Sequence, residues 1–260
     1  MKYSLCIRLL ASACEQDEPK EPPATIEKVS HEITFDSVAR VGPHHSVSTI
    51  ERVEFRSGET VFRTLEATEI AWNSWESFHF QRAVDGEKNF ELMVHDGKFA
   101  SRNGRGPWTA DMDGESARLD VYTTWNVWDE AFSSFKDRIA YEKIGSSVVD
   151  GRATEHFRVS LAPEPETKSK KVGRRTIKPI RIEGEVHLDA QTAVRLSADV
   201  TATTARGSLE RTTHLEIQRS KIGQNQPIAA PEIQLGTAGE LLRRVPQRRS
   251  GRGPTPGSPR

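Results

Sequence analysis

The stretch NFELMVHDGKFA, residues 89–100, indicates the fold class of this chain more directly than any other part. Phe90, Leu92 and Val94 recur at every second position, and an Asp-Gly pair follows them. A period of two is typical of a strand with one buried face. Asp-Gly favours a tight hairpin turn because glycine adopts a positive φ at little steric cost. The stretch therefore predicts two antiparallel strands joined by a tight turn.

The same pattern recurs from about Thr25 to Ile233, and further Asp-Gly pairs stand at Asp85-Gly86 and Asp150-Gly151. Hairpins at this frequency favour a meander of antiparallel strands with one apolar face over a parallel sheet. The other alternating apolar positions are Phe157, Val159 and Leu161; Val186 and Leu188; Val194, Leu196 and Ala198; and Leu215 and Ile217.

One segment has a helical period instead. Val121, Trp125, Trp128, Phe132, Phe135 and Ile139 are spaced by 4, 3, 4, 3 and 4 residues. This spacing predicts an amphipathic helix from about Gly114 to Arg138. Its aromatic face must be buried, and the apolar face of the sheet is the expected partner. The predicted fold class is therefore α+β, with one main helix packed on a single antiparallel sheet.

The tryptophans are concentrated, since all five lie between residues 72 and 128. Two interpretations stay open: an ordinary core beneath the helix, or a wide apolar cavity between helix and sheet. A cavity with aromatic walls suits acyl chains, because dispersion contacts need no fixed polar geometry. The residues predicted to line such a cavity are Trp72, Trp75, Phe78, Phe80, Trp108, Trp125, Trp128 and Phe132.

Composition and motifs argue against several functions. The 37 basic and 37 acidic residues balance, so a nucleic-acid partner is not expected. Neither an HExxH motif, a nucleophile elbow nor a Gly-rich phosphate loop occurs. Both cysteines, Cys6 and Cys14, lie near the start, so the remaining chain has no thiolate for a metal. We expect no enzyme, no cofactor and no metal site.

The histidines fit the same expectation. The pair His44-His45 is either a weak metal pair or a surface turn. The strand histidines are expected on the polar face of the sheet, solvated or paired across strands. These strand residues are His79, His156, His187 and His214.

The N-terminal segment suggests a lipid anchor at Cys14. Small residues at positions 11–13 precede this cysteine, and an apolar stretch with Lys2 before it precedes them. This arrangement resembles a bacterial lipobox, although Cys14 is alternatively an ordinary thiol in an unrelated disordered segment. The predicted organisation is a signal and tether over residues 1–24, a folded domain over 25–235, and a disordered basic tail over 236–260.

Three stretches together resemble a known superfamily: residues 74–111, SWESFHFQRAVDGEKNFELMVHDGKFASRNGRGPWTAD; residues 140–161, AYEKIGSSVVDGRATEHFRVSL; and residues 184–200, GEVHLDAQTAVRLSADV. Their order is similar to that of the LolA, LolB and LppX-like periplasmic lipoprotein carriers and lipid-binding lipoproteins. The resemblance implies a strongly curved antiparallel half-barrel, covered by one main amphipathic helix plus short helices over an apolar cavity.

The resemblance also implies a function. The expected protein is a monomeric bacterial envelope lipoprotein that binds a lipid, an acyl chain or an acylated protein in that cavity. It would be held to the periplasmic face of a membrane through acylated Cys14. The alternative is a surface lipoprotein that binds no ligand and acts as a structural or adaptor module.

Overall fold

The computed structural model describes residues 40–110, 126–163 and 177–232, and most of these residues belong to one large sheet. The predicted signal and tether, the whole predicted basic tail, Cys14 and Trp125 lie outside these residues. The elements are β1 (His44–Arg56), β2 (Glu59–Ser74), β3 (Ser77–Val84), β4 (Glu87–His95), β5 (Lys98–Asn103), β6 (Thr109–Ala110), α1 (Val127–Phe132), a 3-10 helix (Ser133–Arg138), β7 (Ile139–Val149), β8 (Arg152–Leu161), β9 (Lys178–Asp189), β10 (Arg195–Arg206) and β11 (Leu209–Ser220).

The sheet contains 11 strands in the order β6-β5-β4-β3-β2-β1-β11-β10-β9-β8-β7, and every pairing is antiparallel. Strands that follow one another in the chain pair as neighbours, with the exception of β6 and β7, and β1 also pairs with β11. This long-range pairing runs from His45 opposite Ser220 to Arg56 opposite Leu209 and joins the two halves. The predicted antiparallel meander is confirmed, and the sheet is open, with β6 and β7 at its edges.

The Asp-Gly pairs form the predicted hairpin turns. Asp85 and Gly86, between β3 and β4, have φ angles of 52° and 81°. Two successive positive φ values are the geometry of a type I′ turn, whose twist matches that of the flanking strands. The Asp85 carboxylate also accepts a hydrogen bond of 2.8 Å from the backbone N–H of Leu65, which ties the turn to β2.

Gly184 allows β9 and β10 to approach each other closely. Its φ is 148°, and a Cβ built there would lie 2.1 Å from the carbonyl oxygen of Asp199 and 2.6 Å from Cα of Val200. No side chain fits in that space, so glycine is required at this position in the strand interior.

The prediction of one main amphipathic helix is wrong. The helix α1 contains six residues and continues as a six-residue 3-10 helix, while residues 111–125 lie outside the described chain. The change of helix type has a physical reason. Residues three apart lie on the same side of a 3-10 helix, so Phe135 stays on the buried side with Phe132. Among the described helices, none is long and apolar enough to span a membrane.

Two apolar clusters form most of the core. We call the first the lid cluster; it consists of Trp128, Phe132 and Phe135 with side chains of β1 and β8 to β11. We call the second the tryptophan cluster; it consists of Ile70, Trp72, Phe78, Phe80, Leu92 and Val94.

Candidate functional site

Both clusters lie on the same face of the sheet, which we call the inner face. Ile50 of β1 pairs with Leu215 of β11, and both belong to the lid cluster. Ser46, four residues before Ile50 and therefore on the same face, pairs with Ile70 of the tryptophan cluster. The inner face is thus continuous across β1, but its apolar side chains form two separate groups.

The lid cluster is built from aromatic contacts between α1 and the sheet. The Trp128 ring meets the Phe132 ring edge-on, with centroids 4.8 Å apart, and stacks on Tyr141 of β7 at 6.4 Å. The guanidinium of Arg195 lies over the Trp128 ring, 4.2 Å from its centroid. Trp128, Phe132 and Phe135 are all at most 1 % exposed, so α1 is held by complete burial of one side.

The tryptophan cluster is closed in the same way at the other end of the inner face. Trp72 stacks on Phe78 with centroids 5.3 Å apart, and Trp75 meets Trp72 edge-on at 4.8 Å. Phe80 contacts Phe90 at 5.9 Å. Trp72, Phe78 and Phe80 are at most 2 % exposed.

The structure does not bring the eight predicted cavity residues together. Trp72, Trp75, Phe78 and Phe80 belong to or pack on one cluster, while Trp128 and Phe132 belong to the other. Trp125 lies outside the described residues.

Trp108 lies on the opposite, outer face of the sheet. It contacts His79 at 6.2 Å and the guanidinium of Arg102 at 4.6 Å. His79 alternates with the inner residues Phe78 and Phe80 along β3, so its side chain points to the outer face. Trp108 therefore belongs to an outer polar group and not to the predicted lining.

Between the two clusters lies a strip of polar side chains, which we call the seam. Ser46, Ser48 and Thr68 are all buried there. With Ile70, Val127, Ile217 and Arg219 they surround a cavity of about 10 Å³. That volume has room for roughly one water molecule and excludes an acyl chain in this conformation.

Arg219 is the most unusual member of the seam. Its side chain is 1 % exposed, and its guanidinium donates a hydrogen bond to the backbone carbonyl oxygen of Arg195. Its Nε has no hydrogen-bond partner, and across residues 40–110, 126–163 and 177–232 no carboxylate forms an ion pair with it. Burial, together with the nearby charge of Arg195, lowers the pKa of Arg219 to about 10. A buried cation without a counter-ion is costly, so the seam favours an anion beside Arg219.

His44 lies next to this charge at the start of β1. It faces Trp72 across the strand pair and is fully buried, with its Nδ1 2.8 Å from the carbonyl oxygen of Gly42. Burial, followed by the positive charge of Arg219, lowers the pKa of His44 to about 4. His44 is therefore neutral at pH 7.

The opposite end of the seam has balanced charges. Glu66 is 9 % exposed and pairs with Arg82 at 2.8 Å and with Arg52 at 3.7 Å. Arg52 also forms an ion pair of 2.6 Å with Glu130, which connects α1 to β1. Two cations and two anions are matched here, in contrast to Arg219.

Arg219 was not among the residues predicted from the sequence, although a signal for it exists. Leu215, Ile217 and Arg219 alternate along β11, so a charged residue continues an apolar face. Such a position predicts a buried cation once the strand is assigned. The prediction of a surface turn at His44-His45 is wrong, because His44 is buried at the start of β1. His45 points to the opposite, outer face and pairs with Glu69 at 2.8 Å, so the two imidazoles do not face each other.

The strand histidines lie on the outer face as predicted, and several pair across strands. His156 binds Glu185 at 2.9 Å, and His214 binds Asp199 at 2.9 Å. His187 stacks on His156, so that His156, Glu185 and His187 form one group. Sequence reasoning missed this group because His156 and Glu185 are 29 positions apart and meet only through the register of β8 and β9.

No protein-family model and no curated protein matches the chain. Among solved structures, MucB matches with a TM-score of 0.28 and 16 % identity over 77 % of this chain. The match covers 62 % of MucB, so the chain spans about three fifths of that protein.

Two further structures come from the group that the sequence resembles. The lipoprotein LppX from Mycobacterium tuberculosis matches with a TM-score of 0.27 and 12 % identity over 75 % of this chain and 92 % of LppX. A LolA superfamily protein from Nitrosomonas europaea matches with a TM-score of 0.24 and 7 % identity over 73 % of this chain and 90 % of its own.

Proposed function

We propose that the protein is a bacterial envelope lipoprotein that binds a lipid or an acylated protein on its inner face, with the anionic group of the ligand at Arg219. The buried guanidinium of Arg219, without a carboxylate partner in the described chain, is the observation that carries this proposal. Apolar side chains lie on both sides of it, in the lid cluster and in the tryptophan cluster. A ligand with an acyl chain and a carboxylate or phosphate matches both features.

The ligand would enter after α1 moves away from the sheet. The cavity of about 10 Å³ in the seam is too small for an acyl chain, so binding requires that the lid cluster opens. The described ion pair between α1 and the sheet joins Arg52 to Glu130 at 2.6 Å, and an ion pair of this kind is a weak restraint. Acyl carbons would then replace the aromatic contacts that α1 makes with the sheet.

A titration with two fluorescent probes tests the proposal. A long-chain fatty acid and the matching fatty alcohol share the same chain and differ in the anionic group. We expect Arg219→Met to weaken binding of the acid at least tenfold and to leave binding of the alcohol nearly unchanged. Arg219→Lys keeps the charge and is the matched control. Equal affinity of wild type and Arg219→Met for the acid would contradict the role of Arg219.

A second function, a structural or adaptor module without a ligand, is favoured by a different observation. The seam cavity is close to filled, and Trp128 and Phe132 are at most 1 % exposed. If this function is correct, wild-type protein purified from membranes shows no bound lipid by native mass spectrometry and takes up neither probe. Neither of the two proposed functions includes catalysis.

Attachment to the envelope is a separate part of the proposal and depends on Cys14. Radiolabelled palmitate is expected to enter the protein in a bacterial host and to be lost in Cys14→Ala. Cys6→Ala, which removes the only other cysteine of the chain, is the control and keeps the label. Labelling that persists in Cys14→Ala would contradict this anchor.

A further inference from the structure

A second group of functional residues lies on the outer face of the sheet, away from the seam. His156 of β8 is directly opposite His187 of β9, and Glu185 lies two residues before His187 on the same face. One donor atom from each of these three side chains lies within 4.8 Å of the other two. Two imidazoles and one carboxylate form the donor set that proteins use for zinc and similar ions.

Hydrogen bonds behind His187 determine which of its nitrogens is free to coordinate. The Thr154 hydroxyl donates to the carbonyl oxygen of Ser147 at 3.1 Å, so it has no second proton to give. The Ser147 hydroxyl therefore donates to Thr154 Oγ1, 2.8 Å away. His187 Nδ1, 2.8 Å from Ser147 Oγ, must then be the N–H donor in that contact. The Nε2 of His187 keeps its lone pair, as a metal ligand requires.

The remaining contacts keep His156 and Glu185 in place. His156 Nε2 lies 2.9 Å from a carboxylate oxygen of Glu185, and the rings of His156 and His187 stack with centroids 4.0 Å apart.

We propose that His156, His187 and Glu185 bind a divalent transition-metal ion such as Zn²⁺, with His187 coordinating through Nε2 and with water completing the shell. Three protein ligands and one water are the usual composition of an open zinc site. Coordination requires the two imidazoles to turn out of their present stacked arrangement, because donor atoms that are now within 4.8 Å of one another must each come to about 2 Å from the ion. Ser147 is a positioning residue, because it holds the Nδ1–H of His187.

The neighbouring charges favour a cation at this place. Glu185, Asp199 and Glu216 lie directly opposite one another on β9, β10 and β11, which forms a row of three carboxylates on the outer face. Like charges in opposite positions destabilise a sheet, and a bound dication would reduce that repulsion. An open depression of about 340 Å³, lined by Glu185, His187, Asp199 and Glu216 among others, gives an ion access to this row.

A neighbouring group, Asp199, His214 and Glu216, is the competing location. It contains one imidazole, and His214 Nε2 is 2.9 Å from Asp199 and 3.9 Å from Glu216. A set with one nitrogen and two exposed carboxylates is weaker for zinc than a set with two nitrogens. The two groups are separable by substitution because they share no residue.

The test is titration calorimetry of the full chain with ZnCl₂. The chain carries Cys6→Ser and Cys14→Ser so that thiolates do not compete for the ion. We expect one ion per chain, and we expect His187→Gln and Glu185→Gln each to weaken binding at least tenfold. Ser147→Ala should weaken it roughly tenfold, since loss of an outer hydrogen bond to a metal-binding histidine typically has that effect.

His45→Gln is the matched control. His45 also pairs with a glutamate on the outer face, Glu69 at 2.8 Å, but it lies outside the proposed group. It is expected to bind zinc as the parent does, and circular dichroism of every variant checks that the sheet is intact. Unchanged affinity in His187→Gln, or a loss confined to His214→Gln, would overturn the proposal, as would a parent chain that binds no zinc. None of these results depends on whether the inner face binds a lipid.

Discussion

Arg219 donates a hydrogen bond to the backbone carbonyl oxygen of Arg195 from a position where its own side chain is 1 % exposed. The partner is a neutral oxygen and not an anion, so the charge of Arg219 is desolvated without full compensation. Replacement by a well-packed apolar side chain should remove that cost. We expect Arg219→Met to raise the free energy of unfolding of the ligand-free protein by about 1–3 kcal/mol.

Urea denaturation measures this change. Glu66→Met is the informative comparison, because Glu66 lies on the same face but is paired with Arg82 at 2.8 Å. Its replacement removes the carboxylate that pairs with Arg82 and with Arg52, and should therefore destabilise the protein. A loss of stability in Arg219→Met comparable to that in Glu66→Met would show that Arg219 has a structural role, and it would weaken the proposal of an anionic ligand.

Trp128→Ala should destabilise the protein strongly. Trp128 is fully buried and contacts Phe132, Tyr141 and Arg195. Truncation of a buried tryptophan costs about 3–5 kcal/mol of stability, since it removes apolar contact and leaves a cavity. Thermal unfolding followed by circular dichroism gives the decrease in Tm.

Trp108→Ala is the control for this truncation. Trp108 is only partly buried and contacts Arg102 on the outer face, so we expect a cost of at most about 1–2 kcal/mol. Equal decreases in Tm for the two variants would contradict the packing of α1 on the sheet.

Gly184→Ala should be poorly tolerated. A methyl group there would approach the carbonyl oxygen of Asp199 to 2.1 Å, and the φ of 148° is rarely adopted by other residues. We expect a loss of roughly 2–5 kcal/mol from strain and from separation of β9 and β10.

Gly145→Ala is the control, because a Cβ at this position on β7 has no atom within 4 Å. Its effect should lie within about 0.5 kcal/mol. Urea midpoints of the two variants compare them directly, and similar midpoints would contradict the close approach at Gly184.

His44 should make the protein less stable at acidic pH. Its pKa is about 4 in the folded protein, below the ordinary value of 6.5. Between these values the unfolded chain binds a proton that the folded chain does not, so stability is complete above about pH 6.5 and decreases as the pH falls towards 4. The loss from His44 amounts to roughly 3 kcal/mol. His79 and His187 act in the same direction, because their pKa values are also lowered.

Measurement of Tm between pH 7 and pH 4.5 tests this prediction. In His44→Gln the decrease in Tm should be clearly smaller than in the wild type, since the neutral amide does not titrate. His45→Gln, which removes the next imidazole in the chain, serves as the comparison. A wild-type pH dependence in His44→Gln would show that this imidazole is not the buried group responsible.

Much of the fold follows from local patterns. Phe90, Leu92 and Val94 alternate with polar or less buried residues, as expected for a strand that buries one face of a sheet. Leu92 and Val94 are fully buried. The turn at Asp85-Gly86 follows from the positive φ values that glycine and aspartate tolerate. Such signals depend on neighbouring residues alone, so they are visible without the structure.

The length of the helix was not predictable in the same way. The spacing of Trp128, Phe132 and Phe135 fits an α-helix, yet the chain tightens into a 3-10 helix after Phe132. The 3-10 geometry keeps Phe135 on the buried side with Phe132, and it is contact with the sheet that selects this geometry. Apolar periodicity alone therefore overestimates a helix whose last turn is fixed by packing.

Alternation and turn residues were enough to establish an antiparallel meander with one apolar face, because backbone geometry makes every second side chain point the same way. The pairing of β1 with β11 could not be predicted from these local patterns. This pairing places Arg219 opposite Ser46, between the two clusters. The register of β8 and β9 likewise brings His156 to His187, although the two residues are 31 positions apart in the chain. Contacts between distant strands depend on register and on closure of long loops, and neither leaves a local mark in the sequence.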